Sequence, residues 1–232
     1  MAFLKDGMMG EQQALTHAVE EYLEAIQRFS RDGEGPSTTQ LASHLKVRPA
    51  SVTGMVKRLA ELGLVTHRRY GRVKLTPAGQ RGARAIVRRH RLAERLLTDV
   101  LELPLDRVHD EACRLEHALS PEVADLIVRK LGDPEDCPHG HPIKARSEGR
   151  TVTLAEAPQG RLLRIVRIED ESPEVVRYLA ERKLLPKATV RVREREPLGG
   201  GVVLEVDGER QTLGRELAAT IRVRSPRRGR RA

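Results

Sequence analysis

The chain has 232 residues, 39% hydrophobic and 32% charged, a composition of folded domains rather than of disorder. Its 42 Lys and Arg against 33 Asp and Glu give a formal charge of +9, which points to an anionic partner. The aromatics are Phe3, Tyr22, Phe29, Tyr70 and Tyr178, with no Trp, so a single-strand nucleic-acid surface built on base stacking is excluded.

No apolar run reaches the roughly 20 residues that a membrane helix needs. The first ten residues lack a basic stretch followed by an apolar one, so secretion is not signalled. Two cysteines, Cys113 and Cys137, argue against a disulfide framework and for a reducing cytoplasm.

In chain order, Glu11 to Phe29 reads as a helix with Ala14, Ala18, Leu23, Ile26 and Phe29 toward one side. Ser30 to Pro36 is a turn-rich break. Ser37-Thr38-Thr39-Gln40 opens a short helix with a hydroxyl near its N-cap, and Val47-Arg48-Pro49 ends it. A second helix from Ala50 to Leu62 turns Val52, Val56 and Leu59 inward and stops at Gly63. Leu64 to His67 and Val73 to Leu75 then form a small hairpin. Two short helices, a tight turn and a hairpin make a winged helix-turn-helix.

From Thr76-Pro77 a long helix runs to about Leu101. Leu103-Pro104-Leu105 breaks it, and Asp106 is placed to cap a helix holding Val108 to Leu119. Ser120-Pro121-Glu122 caps another, ending at Leu131-Gly132. Asp133 to Arg146 is irregular. From about Thr151 the period changes to strands: Arg161 to Ile168, Thr189 to Arg195, shorter ones around the Gly199 and Asp207-Gly208 turns, and Ala219 to Val223. One helix from Ser172 to Leu185 interrupts them. The expected fold class is mainly α with a small β domain. The expected boundaries are 1–76 for the winged helix, 77–145 for the helical domain, 146–155 for a linker, 156–224 for the β domain and 225–232 for a basic tail.

The net charge is unevenly spread. Residues 37–92 hold 13 bases and one acid, Glu61, whereas residues 93–145 hold six bases and 12 acids. The basic block has the electrostatic footprint of a phosphate binder. On the helix from Ala50, the exposed positions are Arg48, Ser51, Thr53, Gly54, Lys57 and Arg58. Short hydroxyl residues suit base edges and thymine methyls, and the basic side chains suit phosphates, as do Arg68, Arg69 and Arg72 on the wing. Thr38 and Thr39 begin the preceding helix, where hydroxyls and backbone amides also hold phosphate. Double-stranded DNA is the expected partner. Taken singly, each of these positions is an ordinary exposed residue; the reading rests on their combination.

The acidic block holds a metal-ligand pattern. His90 and Glu94 are four residues apart on one helix, and His109, Cys113, Glu116 and His117 share a stripe on the next. Any one of them alone reads as a solvated surface residue, but six on matching stripes converge between two helices. A structural zinc site is usually richer in closely spaced thiolates. Carboxylate, imidazole and one sulfur fit Mn²⁺, Fe²⁺ or Co²⁺, with Zn²⁺, Cu²⁺ and Cd²⁺ able to bind in vitro. Glu21 and Glu24 on the first helix say little alone. Cys137-Pro138-His139-Gly140-His141 has few partners and a Pro/Gly content that favours a turn.

The strings His90 to Asp99 (HRLAERLLTD) and Val108 to His117 (VHDEACRLEH) resemble the diphtheria toxin repressor and manganese transport regulator family of metal-dependent regulators. The resemblance implies a homodimer, a helical dimerisation and metal-binding domain, and a C-terminal SH3-like domain of ferrous iron transport A type. It implies that Cys113, Glu116 and His117 belong to a primary metal site. His90, Glu94 and His109 then form an ancillary one, completed by Glu171 and Glu174 of the third domain. Glu21 stands where the iron-responsive branch has Met, and Glu24 where the manganese branch has a second acid. Cys113 stands where that branch usually has Glu. The donor set is thus a hybrid that leans to Mn²⁺, with Fe²⁺ close behind.

The function expected is a cytoplasmic, metal-activated transcription regulator, repressing metal-uptake genes as a homodimer on an inverted-repeat operator. Two rivals are a winged-helix regulator with no metal dependence and a metal-dependent hydrolase. No Ser/His/Asp or HExxH pattern supports the second, so the chain is not expected to be an enzyme.

Overall fold

In the computed structural model, residues 15–30, 34–67, 71–144, 146, 149–197 and 199–226 are described. They fall into two compact units, one up to Ile86 and the other from Val87.

In the first unit α1 (His17–Phe29) is followed by α2 (Thr38–His44), α3 (Pro49–Glu61) and an antiparallel hairpin of β1 (Val65–His67) and β2 (Val73–Leu75). Ser37 and Gln40 form a reciprocal capping box at the start of α2, and Pro49 occupies the first turn of α3, where its missing N–H costs nothing. The core comprises Val19, Leu23 and Ile26 of α1, Leu41 of α2, Val52, Val56 and Leu59 of α3, and Val65 and Val73 of the hairpin. Each such aliphatic side chain contributes about 1.5–3 kcal/mol on burial. The apolar stripe of α1 differs from the one expected. Val19, Tyr22, Leu23 and Ile26 are buried, whereas Ala18 and Phe29 are exposed. Val19, Tyr22, Leu23 and Ile26 stand at i, i+3, i+4 and i+7 and so share one helical face, whereas Ala18 and Phe29 fall to its side. Ala14 lies outside the described residues.

The long α4 (Pro77–Asp99) carries the chain across the boundary between units. In the second unit come α5 (Leu105–Leu115) and α6 (Pro121–Lys130), then β3 (Val152–Thr153), β4 (Leu162–Ile168), α7 (Pro173–Glu181), β5 (Thr189–Arg195), β6 (Val202–Val206), β7 (Glu209–Leu213), α8 (Arg215–Ala219) and β8 (Ile221–Arg224). The sheet order is β3-β8-β4-β5-β6-β7, with antiparallel pairing throughout. Leu92, Ala93, Val108, Ala112 and Ala124 centre one core among the helices. Leu163, Ile165, Val190, Val192, Leu204 and Val223 centre another under the sheet.

Three local features depart from what the sequence predicts. Asp106 does not cap α5: Pro104 is the N-cap residue, and Asp106 instead accepts two hydrogen bonds from the Arg177 guanidinium on α7, at 2.9 and 2.8 Å. The α5 helix ends at Leu115 rather than Leu119, and Glu116 to Ala118 continue as turns. The β domain has a second helix, the short α8, where a strand had been expected to begin at Ala219.

Between α6 and β3, Cys137 to His141 form a tight turn. Cys137 N–H donates to His141 O at 2.8 Å and Gly140 N–H to Cys137 O at 2.9 Å. Gly140 has φ +90, and a Cβ there would stand 2.0 Å from the Val166 carbonyl oxygen, so only glycine lets this loop lie against β4. Ile168 N–H donates to His139 O at 3.0 Å, which fixes the loop at the end of that strand.

Candidate metal centre and nucleic-acid interface

Arg48, Ser51, Thr53, Gly54, Lys57 and Arg58 are all exposed on or beside α3, with Val52, Val56 and Leu59 buried behind them. The separation follows from the helical period, which turns alternate pairs of positions to solvent. Thr53 Oγ1 donates back to Pro49 O at 3.1 Å. Lys57 Nζ lies 3.9 Å from Glu61, an exposed pair that is readily exchanged for a phosphate. Thr39 is exposed and Thr38 half-buried at the start of α2, where the capping box engages the amides of Ser37 and Gln40. Arg72 is tied inward. Its guanidinium donates to Gly35 O at 3.2 Å and Gln40 Oε1 at 3.0 Å, bracing the hairpin against the start of α2. Arg68 and Arg69 lie outside the described residues.

In the second unit one turn of α4 supplies His90 and Glu94, and α5 with its C-cap supplies His109, Cys113 and Glu116. These side chains meet in a continuous chain of imidazoles and carboxylates. His117 Nε2 lies 3.1 Å from Glu116 Oε1, and Glu116 Oε2 lies 2.8 Å from His90 Nδ1. His90 Nε2 is 3.3 Å from Glu94 Oε1, and His109 Nδ1 is 2.9 Å from Glu171 Oε2 and 3.8 Å from Glu94. Cys113 Sγ stands 3.7 Å from His109 Nε2 and 4.0 Å from His90 Nδ1. His90 is the shared member, touching Glu116 of one expected site and Glu94 of the other.

The turn at Cys137 to His141 completes this arrangement in a way the sequence reading missed. His139 Nδ1 lies 2.9 Å from Glu94 Oε1, and His141 Nε2 lies 3.0 Å from both Glu171 Oε1 and Ile168 O. His139 and Glu94 are fully buried. Glu94, Cys137 and His139 offer ligand atoms within 4.8 Å of one another, as do His90, Glu94, His109 and Glu171, and as do His90, His109 and Cys113. Two histidines and a cysteine within five residues were the available signal. Glu174, by contrast, is exposed in the first turn of α7 and joins none of these groups. Glu21 and Glu24 are respectively exposed and half-buried on α1 in the first unit.

Burial alone would discharge these groups, and their mutual contacts outweigh it. Burial opposes the charged form of Glu94, but hydrogen bonds with His109, His139 and His90 hold its carboxyl well below the usual range. Glu171 is held low in the same way by His109 and His141. Against the same desolvation, His90 is pushed well up by Cys113, Glu116 and Glu94, and His109 up to about 12 by Cys113, Glu171 and Glu94. The two cysteines diverge. Burial raises the Cys113 thiol, yet His109 and His90 bring it below its ordinary value, whereas burial and then the charges of Glu94 and Glu171 push Cys137 well above. The carboxylates are thus balanced by imidazolium protons.

A divalent cation fits these residues. Glu94 Oε2 and His139 Nε2 are buried with no hydrogen-bond partner among the described residues, and buried polar atoms are rarely left so. The donors are oxygen and nitrogen with one thiol disposed to ionise, a set suited to first-row divalent metals.

Residues 14–73 match the iron dependent repressor N-terminal DNA binding domain, residues 76–145 the iron dependent repressor metal binding and dimerisation domain, and residues 152–225 the FeoA domain. The diphtheria toxin repressor of Corynebacterium diphtheriae is 33% identical over 224 residues, covering 90% of this chain and 97% of its own. The chain belongs to this family of iron- and manganese-dependent repressors. Within the family, the iron-dependent repressor IdeR of Mycobacterium leprae is 32% identical over the same shares of both chains, 90% and 97%. A solved manganese-dependent transcriptional repressor in complex with manganese has a TM-score of 0.80 at 34% identity, covering 90% of this chain and all of that one. The cadmium-bound structure of ScaR gives 0.76 at 27% identity, covering 90% and 99%. Family membership places the chain among transcriptional repressors rather than enzymes. No helix among the described residues is long and apolar enough to cross a membrane.

Proposed function

We propose that this protein is a cytoplasmic, metal-activated DNA-binding regulator that represses metal-uptake genes as a homodimer on an inverted-repeat operator. One observation carries the reading: buried Glu94 keeps an unpartnered carboxylate oxygen inside a cluster of imidazoles and carboxylates. The winged helix spans residues 1–76, the helical metal-binding and dimerisation domain 77–145, a linker 146–155, the SH3-like domain 156–224 and the basic tail 225–232.

His90, Glu94, His109 and Glu171 form the ancillary ligand set, with His139 and His141 holding the two carboxylates in place. Cys113, Glu116 and His117 form the primary set, which Glu21 and Glu24 enter on the family resemblance, whereas Glu174, exposed as it is, is left out. Mn²⁺ suits the number of hard oxygens, and Fe²⁺ suits the added sulfur; Zn²⁺, Co²⁺ and Cd²⁺ would bind in vitro. When bound, the metal supplies the positive charge that imidazolium protons otherwise give. His90, touching Glu116 and Glu94 at once, couples the two sets, so both respond to the loss of its proton. A change of this kind shifts population toward a DNA-competent form only by its differential affinity for that form.

Dimerisation is assigned to the exposed apolar side chains Val100, Leu101, Val123 and Leu126, which stand within the matched dimerisation domain. A Leu126→Asp variant is expected to run as a monomer in light scattering. DNA upstream of metal-transporter genes, shifted in gels with EDTA and then with Mn²⁺ or Fe²⁺, tests the switch. Equal binding in both conditions would overturn it.

A further inference from the structure

The FeoA-type sheet, in a different domain from the winged helix, carries a second concentration of cations. Strand β4 pairs with β8 so that Arg164 stands directly opposite Arg224 and Arg167 opposite Arg222. On the other side of β4, Leu162 stands opposite Arg191 of β5. Cross-strand partners share a face, and so do residues two apart along a strand, so Arg224, Arg164 and Arg191 cross three strands on one side. Leu163, Ile165, Val190, Val192, Ile221 and Val223 fill the opposite, buried side. The arginines therefore form the outer face of the sheet.

Like charges set directly opposite are unfavourable in a sheet, and here two such pairs adjoin. The acids nearby are already engaged. Glu169 holds Arg167 at 2.8 and 2.7 Å, and Glu205, opposite Arg191, holds Arg193 at 2.8 Å. Arg164, Arg191, Arg222 and Arg224 have no acid partner among the described residues, and the Nε atoms of Arg191 and Arg222 are buried without a hydrogen-bond partner.

We propose that this arginine face is a second contact surface for the phosphate backbone of duplex DNA, independent of base sequence. The inference rests on the reading of the chain as a DNA-binding regulator and adds a surface that the winged helix does not include. Guanidinium forks pair with phosphate oxygens through two parallel hydrogen bonds, which a row of arginines on a rigid sheet offers repeatedly. Of the larger apolar side chains here, Leu162 alone is exposed, and no aromatic stands in the row, so neither apolar insertion nor base stacking is provided for.

The test uses the full-length protein and a labelled random-sequence duplex, with fluorescence anisotropy read over a sodium chloride series. The fourfold variant R164Q/R191Q/R222Q/R224Q should lower the salt-dependence slope by ~2–4, since each phosphate contact contributes ~0.9. Affinity should fall at least tenfold at low salt. The matching fourfold Arg→Lys variant should retain most of the slope. If the fourfold Gln variant does not fold, the exposed single change R164Q, expected to cost ~1 in slope, is read on the same plot. A slope unchanged by the Gln substitutions, in a variant that melts as the parent does, would overturn the proposal. So would competition by polyglutamate as strong as that by unlabelled duplex. K57Q/R58Q in α3 separates the two readings: if it weakens binding and the sheet variants do not, the regulator stands and this surface falls.

Discussion

The outer face of α3 and the buried cluster around Glu94 handle charge in opposite ways. In the first, Arg48, Lys57 and Arg58 stand in solvent, and the one ion pair among them, Lys57 with Glu61, is long and exposed. In the second, Glu94, Glu116, His90 and His139 are buried and held by one another at 2.8 to 3.3 Å. Exposed cations are screened, adaptable and cheap to transfer to a phosphate, so they suit a partner that dissociates with salt. Buried opposite charges are rigid and costly to leave unmatched, so they suit a ligand that replaces one balancing charge by another. The exposed face of α3 is thus disposed to bind a polyanion, and the buried cluster around Glu94 to sense a cation.

The sharpest way to break this contrast is to remove the charge that the buried network turns on. Glu94→Gln should destabilise the metal-free protein by about 3–5 kcal/mol, because it leaves three imidazoles around a neutral side chain. Thermal unfolding in EDTA measures this. The same variant should lose the stabilisation that added Mn²⁺ gives the parent; a retained shift in melting temperature would remove Glu94 from the ligand set.

A smaller effect is expected from the turn that aims the second layer of histidines. Gly140→Ala places a methyl against the Val166 carbonyl at a φ of +90, so the loop must move and carry His139 and His141 with it. Metal affinity, read by titration calorimetry, should fall about 10–100-fold, the usual cost of losing groups that orient ligands. His139→Ala should reproduce most of that loss without disturbing the loop.

On the exposed side, K57Q/R58Q should leave folding within about 0.5 kcal/mol of the parent, as surface changes do. Its salt-dependence slope for DNA should fall by ~2, one phosphate contact per residue removed. A large loss of stability instead would mean that these cations serve the fold.

The smallest effect is expected at Gly54. A Cβ there meets nothing within 4 Å, so packing in this structure does not call for glycine. Gly54→Ala should therefore stabilise α3 by about 0.5–1 kcal/mol, through backbone entropy alone. A matching drop in operator affinity would show that DNA comes close to the helix backbone at this position.

Much of this contrast was legible in the sequence, but unevenly. The exposed half was read from position and period: alternation of Val52, Val56 and Leu59 with basic and hydroxyl residues places a face without reference to the rest of the chain. The helical spacing of His90 with Glu94, and of His109 with Cys113 and Glu116, put ligands on two stripes for the same reason. What those stripes would meet was not legible. His139 and His141 read as parts of a turn because Pro and Gly surround them, and their contacts come from residues 45 and 30 positions away in the chain. Glu171 and Glu174 were equivalent by composition; the start of α7 turned one to the cluster and the other to solvent. Asp106 read as a cap by local rule, yet Arg177 from a distant helix engages it. The apolar stripe of α1 differs from the expected one because Val19, Tyr22, Leu23 and Ile26 follow the helical i, i+3, i+4, i+7 spacing, which Ala18 and Phe29 do not share.

By itself, then, the sequence determined most of the helices and strands, where the basic face lies and which two helices carry the metal stripes, because each follows from local period and local charge. Tertiary structure alone decided that the two expected ligand sets meet at His90, that the Cys137 to His141 turn supports Glu94 and Glu171, and that arginines from three strands share one face of the sheet. Each of these joins side chains far apart in the chain, and only packing, which buries them together or lines them up across a sheet, brings them within reach.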